Sequence, residues 1–483
     1  MEHPFAVLRT ARRLVRCLAS FHTCTFFLTQ GASPRLADTA RYPTGLDEHM
    51  ASQSTSELVY GWVEGSNTRG TVDILYSSLS TIWLCTWTSL CLNCSDGGKG
   101  RWKALLYKFR WQLFAIFFPE VLVAMAAEQW MSARQSVNTF HRLGHASSWS
   151  QRHGFLADMG GILVEPLDSE PFAVDSHQLA YLVEKKLLPM PYIKLEDIEA
   201  LNKSDGLARV LTMAQVAWFS LSCSGRAAKE IGLAPLELET ITFILCTLHT
   251  FFFWYYKPLD PPRPIILPLN HTVDDLRRPS NSEKSLYYSA ITPLDFVKVP
   301  PDPKSLTMPF WFGVKIAFGP FIRTRRTPLS KYAQTFPNSE VSNPEGGVGW
   351  PLTIYLVVFQ IMYYALHIGL GRVVPFASRA EFLIWEISNI VQFGLIATFV
   401  VCLWAGSHAA SWLASWLFHQ EAHTVLEVAS LLPYWAKLLI HAPFVLGYIA
   451  ARVLVLGVAF STLRALPPVI YLGVNWSDFI PHI

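Results

Sequence analysis

Charge is what this chain has least of. Asp, Glu, Lys and Arg make up 16% of its 483 residues, where an ordinary soluble domain carries about 25%. The net charge of +3 comes with no basic stripe of interleaved aromatics, so nucleic-acid binding is set aside. The eight cysteines are scattered, and Cys85, Cys91, Cys223, Cys246 and Cys402 sit in or beside apolar runs, where a thiol behaves as a small hydrophobe. A disulfide framework is not expected, and the close pair Cys91 and Cys94 lacks the second pair that a zinc site would need. Signatures of several reactions are missing too. GGKG at Gly97 has neither the glycine spacing nor the hydroxyl of a phosphate loop, and Asp274-Asp275-Leu-Arg-Arg lacks the acid that completes a diphosphate-metal motif. HQEAH, His419 to His423, has its glutamate in the wrong place for a zinc protease, and no G-x-S-x-G elbow occurs. His141 with His145, and His419 with His423, therefore read as surface or interfacial residues; no metal and no cofactor is expected. No repeat or low-complexity tract is visible.

Long apolar runs are abundant instead. Hydrophobic residues make up 51% of the chain and the mean hydropathy is +0.27. Thr71 to Leu92, Trp111 to Ala127 and Phe382 to Trp404 approach the ~20 residues that, at 1.5 Å rise, cross a ~30 Å hydrocarbon layer. Leu207 to Ser222, Leu236 to Tyr256, Trp350 to Leu370 and Leu438 to Leu463 add further spans, with a broken apolar stretch at Ala409 to Trp435. The expected fold is all-α, a polytopic transmembrane helix bundle of about seven to nine spans with two sizeable, mostly helical or irregular extramembrane segments.

The chain divides accordingly. Residues 1–33, where Arg9, Arg12, Arg13 and Arg16 precede an apolar stretch, resemble a signal peptide or signal anchor. Residues 34–70 form an exoplasmic segment, 71–127 a two-span hairpin, 128–206 a helical extramembrane cap and 207–256 a second hairpin. A proline-rich segment, 257–349, with an interfacial helix at Met308 to Ile322, leads to a C-terminal bundle over 350–463 and a tail over 464–483. The basic loop Asp96 to Arg110 belongs in the cytosol by the positive-inside rule. The sequons at Asn202 and Asn270 then face the exoplasmic side as glycosylation sites. The expected location is the secretory membrane system, endoplasmic reticulum or plasma membrane, and the expected partners are the lipid bilayer and a lipophilic small molecule.

Ionisable side chains at bilayer depth cost ~2.5–3.5 kcal/mol on insertion scales, so each requires a partner or a wet cavity. Glu120 follows Pro119 in the second run, where a missing helical hydrogen bond loosens the backbone. Glu386 and Asn389 share a helix face, and Arg452 is the natural counter-ion for Glu386 or Glu120. Gln215, His249, Gln360 and His367 lie in other spans, and Asp73 near a span end. One reading makes Glu120, with Glu386 and Asp73, the proton donor or acceptor of a non-redox cyclisation or isomerisation. Trp83, Trp87 and Trp218 would shield a cationic intermediate, and Asn389 and Arg452 would hold the substrate. The same groups could line a transporter's path, or merely fix helix packing in a membrane scaffold.

Several stretches together, RGTVDILYSSLSTIWLCTWT, PEVLVAMAAEQW, HGFLADMGGILV, LNKSDGLARVLTMAQVAWF and LELETITFILCTLHTFFFWYYKPLD, resemble a large group of fungal multi-pass membrane proteins over roughly residues 60 to 262. The resemblance implies a fungal polytopic protein, associated in some cases with secondary-metabolite pathways, and a lipophilic polyketide or isoprenoid as substrate. It carries no catalytic roles. Within these stretches Asp73, Glu120, Trp130, Asp158, Asp205, Trp218, Glu237 and Asp260 are the positions that first invite substitution.

Overall fold

A computed structural model describes residues 58–65, 69–93, 101–145, 148–200, 203–259, 264–276, 292–294, 297, 350–419, 428 and 431–474. The N-terminal 33 residues, Asn202, Asp260 and the Met308–Ile322 segment lie outside the described residues. In chain order the elements are β1 (Val59–Tyr60), α1 (Thr71–Thr88), α2 (Arg101–Phe117), α3 (Pro119–Arg142), α4 (Gln151–Asp158), β2 (Ile162–Glu165), β3 (Phe172–Ala173), α5 (Ser176–Glu184) and α6 (Leu195–Ala200). There follow α7 (Lys203–Ala228), α8 (Pro235–Phe253), β4 (Ile265–Pro268), α9 (Val273–Leu276), α10 (Trp350–Gly371), α11 (Arg379–Phe418), α12 (Tyr434–Ser461) and β5 (Ala465–Leu466).

The molecule is mostly helical, and four helices are long and apolar enough to cross a membrane: α8, α10, the first part of α11, and α12. The pair α2 and α3 passes the same test only together, bent by 111°. The expected seven to nine spans are thus four, or five with the bent pair, among the described residues. Neither α1 nor α7 qualifies; α1 is rich in Ser and Thr, whose hydroxyls bond back to carbonyls of its own preceding turn, as Thr81 does to Ser77 and Thr86 to Ile82. The run Trp111 to Ala127, expected as one straight span, breaks at Phe118. Proline at the first position of α3 has no N–H to continue the ladder, so α3 starts afresh there in a new direction. Conversely, α11 runs unbroken for 40 residues to Phe418, joining a span to part of the stretch expected as broken. At 1.5 Å per residue it is about 60 Å long, twice a hydrocarbon layer.

At the centre lies α8, packed against α1, α3, α10 and α12. Its apolar window is 72% buried, against 28%, 22% and 33% for α10, α11 and α12; α8 is shielded by protein, while the other three turn most of their apolar surface outward, as lipid-facing helices do. The bundle core joins Trp111, Phe118, Leu122, Leu245, Phe359 and Tyr448.

A separate apolar core built on Phe140, Trp149, Ile162, Phe172, Leu179 and Leu269 makes the cap. Here the all-helical expectation needs correction. β2 lies between β3, antiparallel, and β4, parallel, so that Leu163 pairs with Ala173 on one side and Ile266 on the other. β4 comes from beyond α8, so the two extramembrane segments expected as separate share one sheet and one core. Their β-branched, apolar runs ILVE and IILP suit a buried central strand and its neighbour. The cap is seated on α3 through Gly154 of α4, where an added Cβ would come 2.9 Å from the Ala133 carbonyl oxygen; only glycine permits so close an approach. A second small pairing, β1 with β5, ties residues before α1 to those after α12. Buried Arg226 reinforces that closure by donating to the carbonyls of Gly232, Ile470 and Leu472, each at 2.8 Å.

His153 sets a pH limit on the cap. Its Nδ1 accepts the Ser150 N–H at 3.1 Å, so the ring proton sits on Nε2, donated to the Ile193 carbonyl at 2.9 Å. Burial holds this imidazole below its ordinary value of 6.5. The unfolded chain therefore binds more protons over the interval below 6.5, and cap stability falls as pH drops from 6.5 to the depressed folded value. The protection of α4 amides, exchange normalised to its intrinsic pH-dependent rate, is expected to fall as pH drops over that interval in the wild type and to stay flat in His153→Asn, whose oxygen keeps the Ser150 contact. Equal pH slopes in the two proteins would refute this assignment.

Candidate functional site

The break before Pro119 leaves a helix N-terminus inside the bundle, and Glu120 occupies its first turn, where a carboxylate complements the exposed N–H groups. Glu120 is 2% exposed. Its Oε1 accepts the hydroxyls of Tyr448 on α12 and Tyr364 on α10, the latter at 3.3 Å. Its Oε2 has no hydrogen-bond partner among the described residues.

Beside it lies an ion pair. Glu239 on α8 meets Arg452 on α12 at 2.6 Å, and both are wholly buried. Arg452 Nε and Nη1 find no acceptor among the described residues; the guanidinium stands 5.2 Å from the centre of the Phe243 ring. The other Glu239 oxygen faces His367 Nε2 at 3.0 Å. His367 Nδ1 faces the Tyr363 carbonyl at 3.1 Å, and Thr242, whose hydroxyl donates to the Glu239 backbone carbonyl at 2.7 Å, lies 3.3 Å from His367 Nε2. Arg452 and His367 also act electrostatically on Glu120. The result is a buried cluster of two carboxyls, a guanidinium, an imidazole and two phenols, with Glu239 in contact with both Arg452 and His367.

Of the residues expected at the site or in the polar interior of the spans, Glu120, Arg452 and His367 belong to this cluster. The others do not join them. Arg452 is matched by Glu239 and not by Glu386, because α8, the buried helix, faces it. Glu386 pairs instead with Arg372 at 2.6 Å, and that arginine is 63% exposed. Asp73 caps α1, accepting the Gly70 N–H at 2.8 Å. Trp83 and Trp87 stack on each other at 6.0 Å, with Lys108 5.1 Å from the Trp87 ring; Trp83 and Trp218 point outward. Asn389 is buried but donates to its own helix at Trp385. Gln215 joins α7 to α1 through Thr81 at 2.9 Å, and His249 bonds the Leu245 carbonyl at 2.7 Å. Glu237 caps α8 and pairs with Arg69. Asn270 is exposed just after β4. Among the described residues no His, Cys, Asp and Glu group is arranged to hold a metal.

Glu239, Tyr364 and Tyr448 were not anticipated. Glu239 lies near the start of an apolar run and reads there as an end residue; a tyrosine in a span reads as a packing residue. One signal existed: LELET places a second acid at the fifth position of a helix, beyond the first-turn Glu237, and no Asp, Glu, Lys or Arg follows it to Phe253.

Residues 46–277 match the model of a family of unknown function, DUF8562, to which just under half of the chain is therefore similar. No curated protein and no solved structure matches the chain. Glu120 and Glu239 fall within the matched residues, whereas Tyr364, His367, Tyr448 and Arg452 fall outside them, so the cluster is assembled from both parts of the chain.

Removing one member of a buried pair leaves an uncompensated charge and costs ~3–5 kcal/mol, whereas an exposed pair contributes ~0–1 kcal/mol. Arg452→Met is expected to lower the thermal unfolding midpoint of the detergent-purified protein sharply, and Arg372→Ala hardly at all. Adding Glu239→Gln to Arg452→Met recovers much of the loss. A double variant no more stable than Arg452→Met contradicts the pairing.

Proposed function

We propose that this chain is a multi-pass membrane protein that acts on a lipophilic small molecule by acid/base chemistry inside its bundle, with Glu120 as the proton-transferring group. The observation that carries this reading is the state of Glu120. One oxygen is fixed by two phenol hydroxyls and the other has no hydrogen-bond partner among the described residues, beside the buried contacts of Glu239 with Arg452 and His367. A carboxyl so placed can give or take a proton without reorganising water, the requirement of general acid–base catalysis. The reaction class is a non-redox cyclisation or isomerisation. Arg452, Glu239 and His367 set the charge around Glu120 as positioning residues. By the resemblance of its first half, the setting is fungal secondary metabolism, with a polyketide or isoprenoid as substrate. By its basic and then apolar N-terminus, the location is the secretory membrane system.

The buried Glu239–His367 contact favours a second reading, proton-coupled export of such a metabolite, in which the same groups load and release a proton as the path alternates. One pair of measurements separates the two. In a host carrying the wild-type chain, the reading as an enzyme expects a lipophilic product that is lost, by ~10²-fold or more, with Glu120→Gln and retained with Glu386→Gln and Asp73→Asn. Export expects the same compounds in all hosts, and an uptake into vesicles that ceases when the proton gradient is collapsed. An unaltered metabolite profile with Glu120→Gln rules out the catalytic role.

A further inference from the structure

Around α2 and α3 the chain leaves one end of the bundle and comes back to it. Asn93, ahead of α2, accepts from the Lys257 ammonium at 3.4 Å, and Gln129 on α3 accepts from the same group at 2.8 Å. Lys257 comes just after α8, beside Tyr255 and Tyr256, which are exposed as aromatic residues are where hydrocarbon meets headgroups. This is the end that carries the cap, since Ser132, three positions past Gln129, donates to Asp158 of α4 at 2.8 Å. Between Asn93 and Gln129 the chain reaches the Phe118 break, where the Phe118 ring stacks on Tyr448 of α12 at 5.0 Å, and bends there by 111°.

The surface of α2 has three sectors. Trp111, Gln112 and Ala115 are buried against the bundle, and Gln112 reaches Thr86 of α1 at 3.5 Å. Trp102, Leu106, Phe109 and Leu113, spaced by four, three and four positions, form an outward apolar stripe in which Trp102 is 79% exposed. Lys103 and Arg110, seven positions apart, stand exposed together on one flank of that stripe, and neither meets a carboxylate among the described residues. The helix contains no acid. An exposed apolar stripe is satisfied by acyl chains and an exposed cation by headgroups, and only the boundary between the two offers both.

We propose that α2 and α3 form a re-entrant hairpin returning to the cap side, and that α2 docks there on an anionic lipid leaflet, with Lys103 and Arg110 at the phosphates and the Trp102 to Leu113 stripe among the upper acyl carbons. Charge decides the occupant: cations without acids complement acidic headgroups, and the aromatic end of α8 places that leaflet beside the hairpin. The cap then lies on the same side as α2, whereas a straight span at Trp111 to Ala127 would put the two on opposite sides. By the positive-inside rule that side is the cytosol, and Asn270 is not glycosylated.

Two measurements on the full chain test this. In sealed vesicles, Lys103→Cys and Tyr192→Cys, each made in a Cys402→Ser chain whose own labelling is subtracted, are expected to react with a membrane-impermeant maleimide from the same side. Val373→Cys, past the end of α10 that lies beside the start of α8, is expected to react from the other. A Lys103→Cys that reacts from the side of Val373→Cys, apart from Tyr192→Cys, overturns the hairpin. Native mass spectrometry of the detergent-purified protein, given equal phosphatidylglycerol and phosphatidylcholine, reads the lipid preference. The wild type is expected to retain phosphatidylglycerol about tenfold over phosphatidylcholine, and Lys103→Gln/Arg110→Gln to lose that preference. Lys185→Gln/Lys186→Gln, which removes two exposed lysines of the cap, keeps it. Equal retention of the two lipids by the wild type, a preference that survives Lys103→Gln/Arg110→Gln, or an equal loss with Lys185→Gln/Lys186→Gln overturns the docking. Lys103 and Arg110 are exposed, so their replacement alters the surface and leaves the fold intact.

Discussion

A guanidinium buried beyond the reach of water organises the bundle. Arg452 has no exposed surface, and in so poor a dielectric its desolvation must be offset by opposite charge in direct contact. Glu239 supplies that charge from the most enclosed helix, and the need for the contact fixes how α12 lies against α8. His367 then binds the second oxygen of the same carboxylate, which brings α10 into the same arrangement. Hydrophobic packing alone would tolerate sliding of these helices; a buried pair does not, because a displacement of one turn leaves both charges unpaired.

The break at Phe118 supplies the second constraint. A straight second span would carry Glu120 past the centre of the bundle as one more side chain on a helix face. Because Pro119 cannot continue the hydrogen-bond ladder, α3 begins inside the protein, and Glu120 stands in a helix first turn, where unpaired N–H groups favour a carboxylate. The sharp turn also sends α3 toward the cap. One helix thus carries Glu120 at its start and, farther on, Gln129, which accepts from Lys257, and Ser132, which donates to Asp158 of the cap.

The sequence was informative wherever a single residue's cost decides the outcome. Apolar runs marked α8, α10, α11 and α12 as spans, and the expense of an ion at depth marked Glu120 and Arg452. It was less informative where a partner decides. Glu386 has as strong a local signal as Glu120, yet its position near the start of α11 lets Arg372 reach it from an exposed site. Asp73 and Glu237 lie inside or beside apolar runs, yet each is taken up in capping a helix N-terminus. The cap's sheet was hidden for a related reason: β2 and β4 are separated by more than ninety residues and two long helices, and neither four-residue run reads as a strand until the other lies beside it.

By itself, then, the chain's composition determined that several helices are long and apolar enough to cross a membrane, because hydrophobic length and scarcity of charge are sums over residues that no arrangement alters. Pairing was left to the tertiary structure. Which acid meets Arg452, which helix bends into the core, and which side chains close around Lys257 all depend on contacts between residues far apart in sequence, and the energy of a buried charge is a property of its surroundings rather than of the residue that bears it.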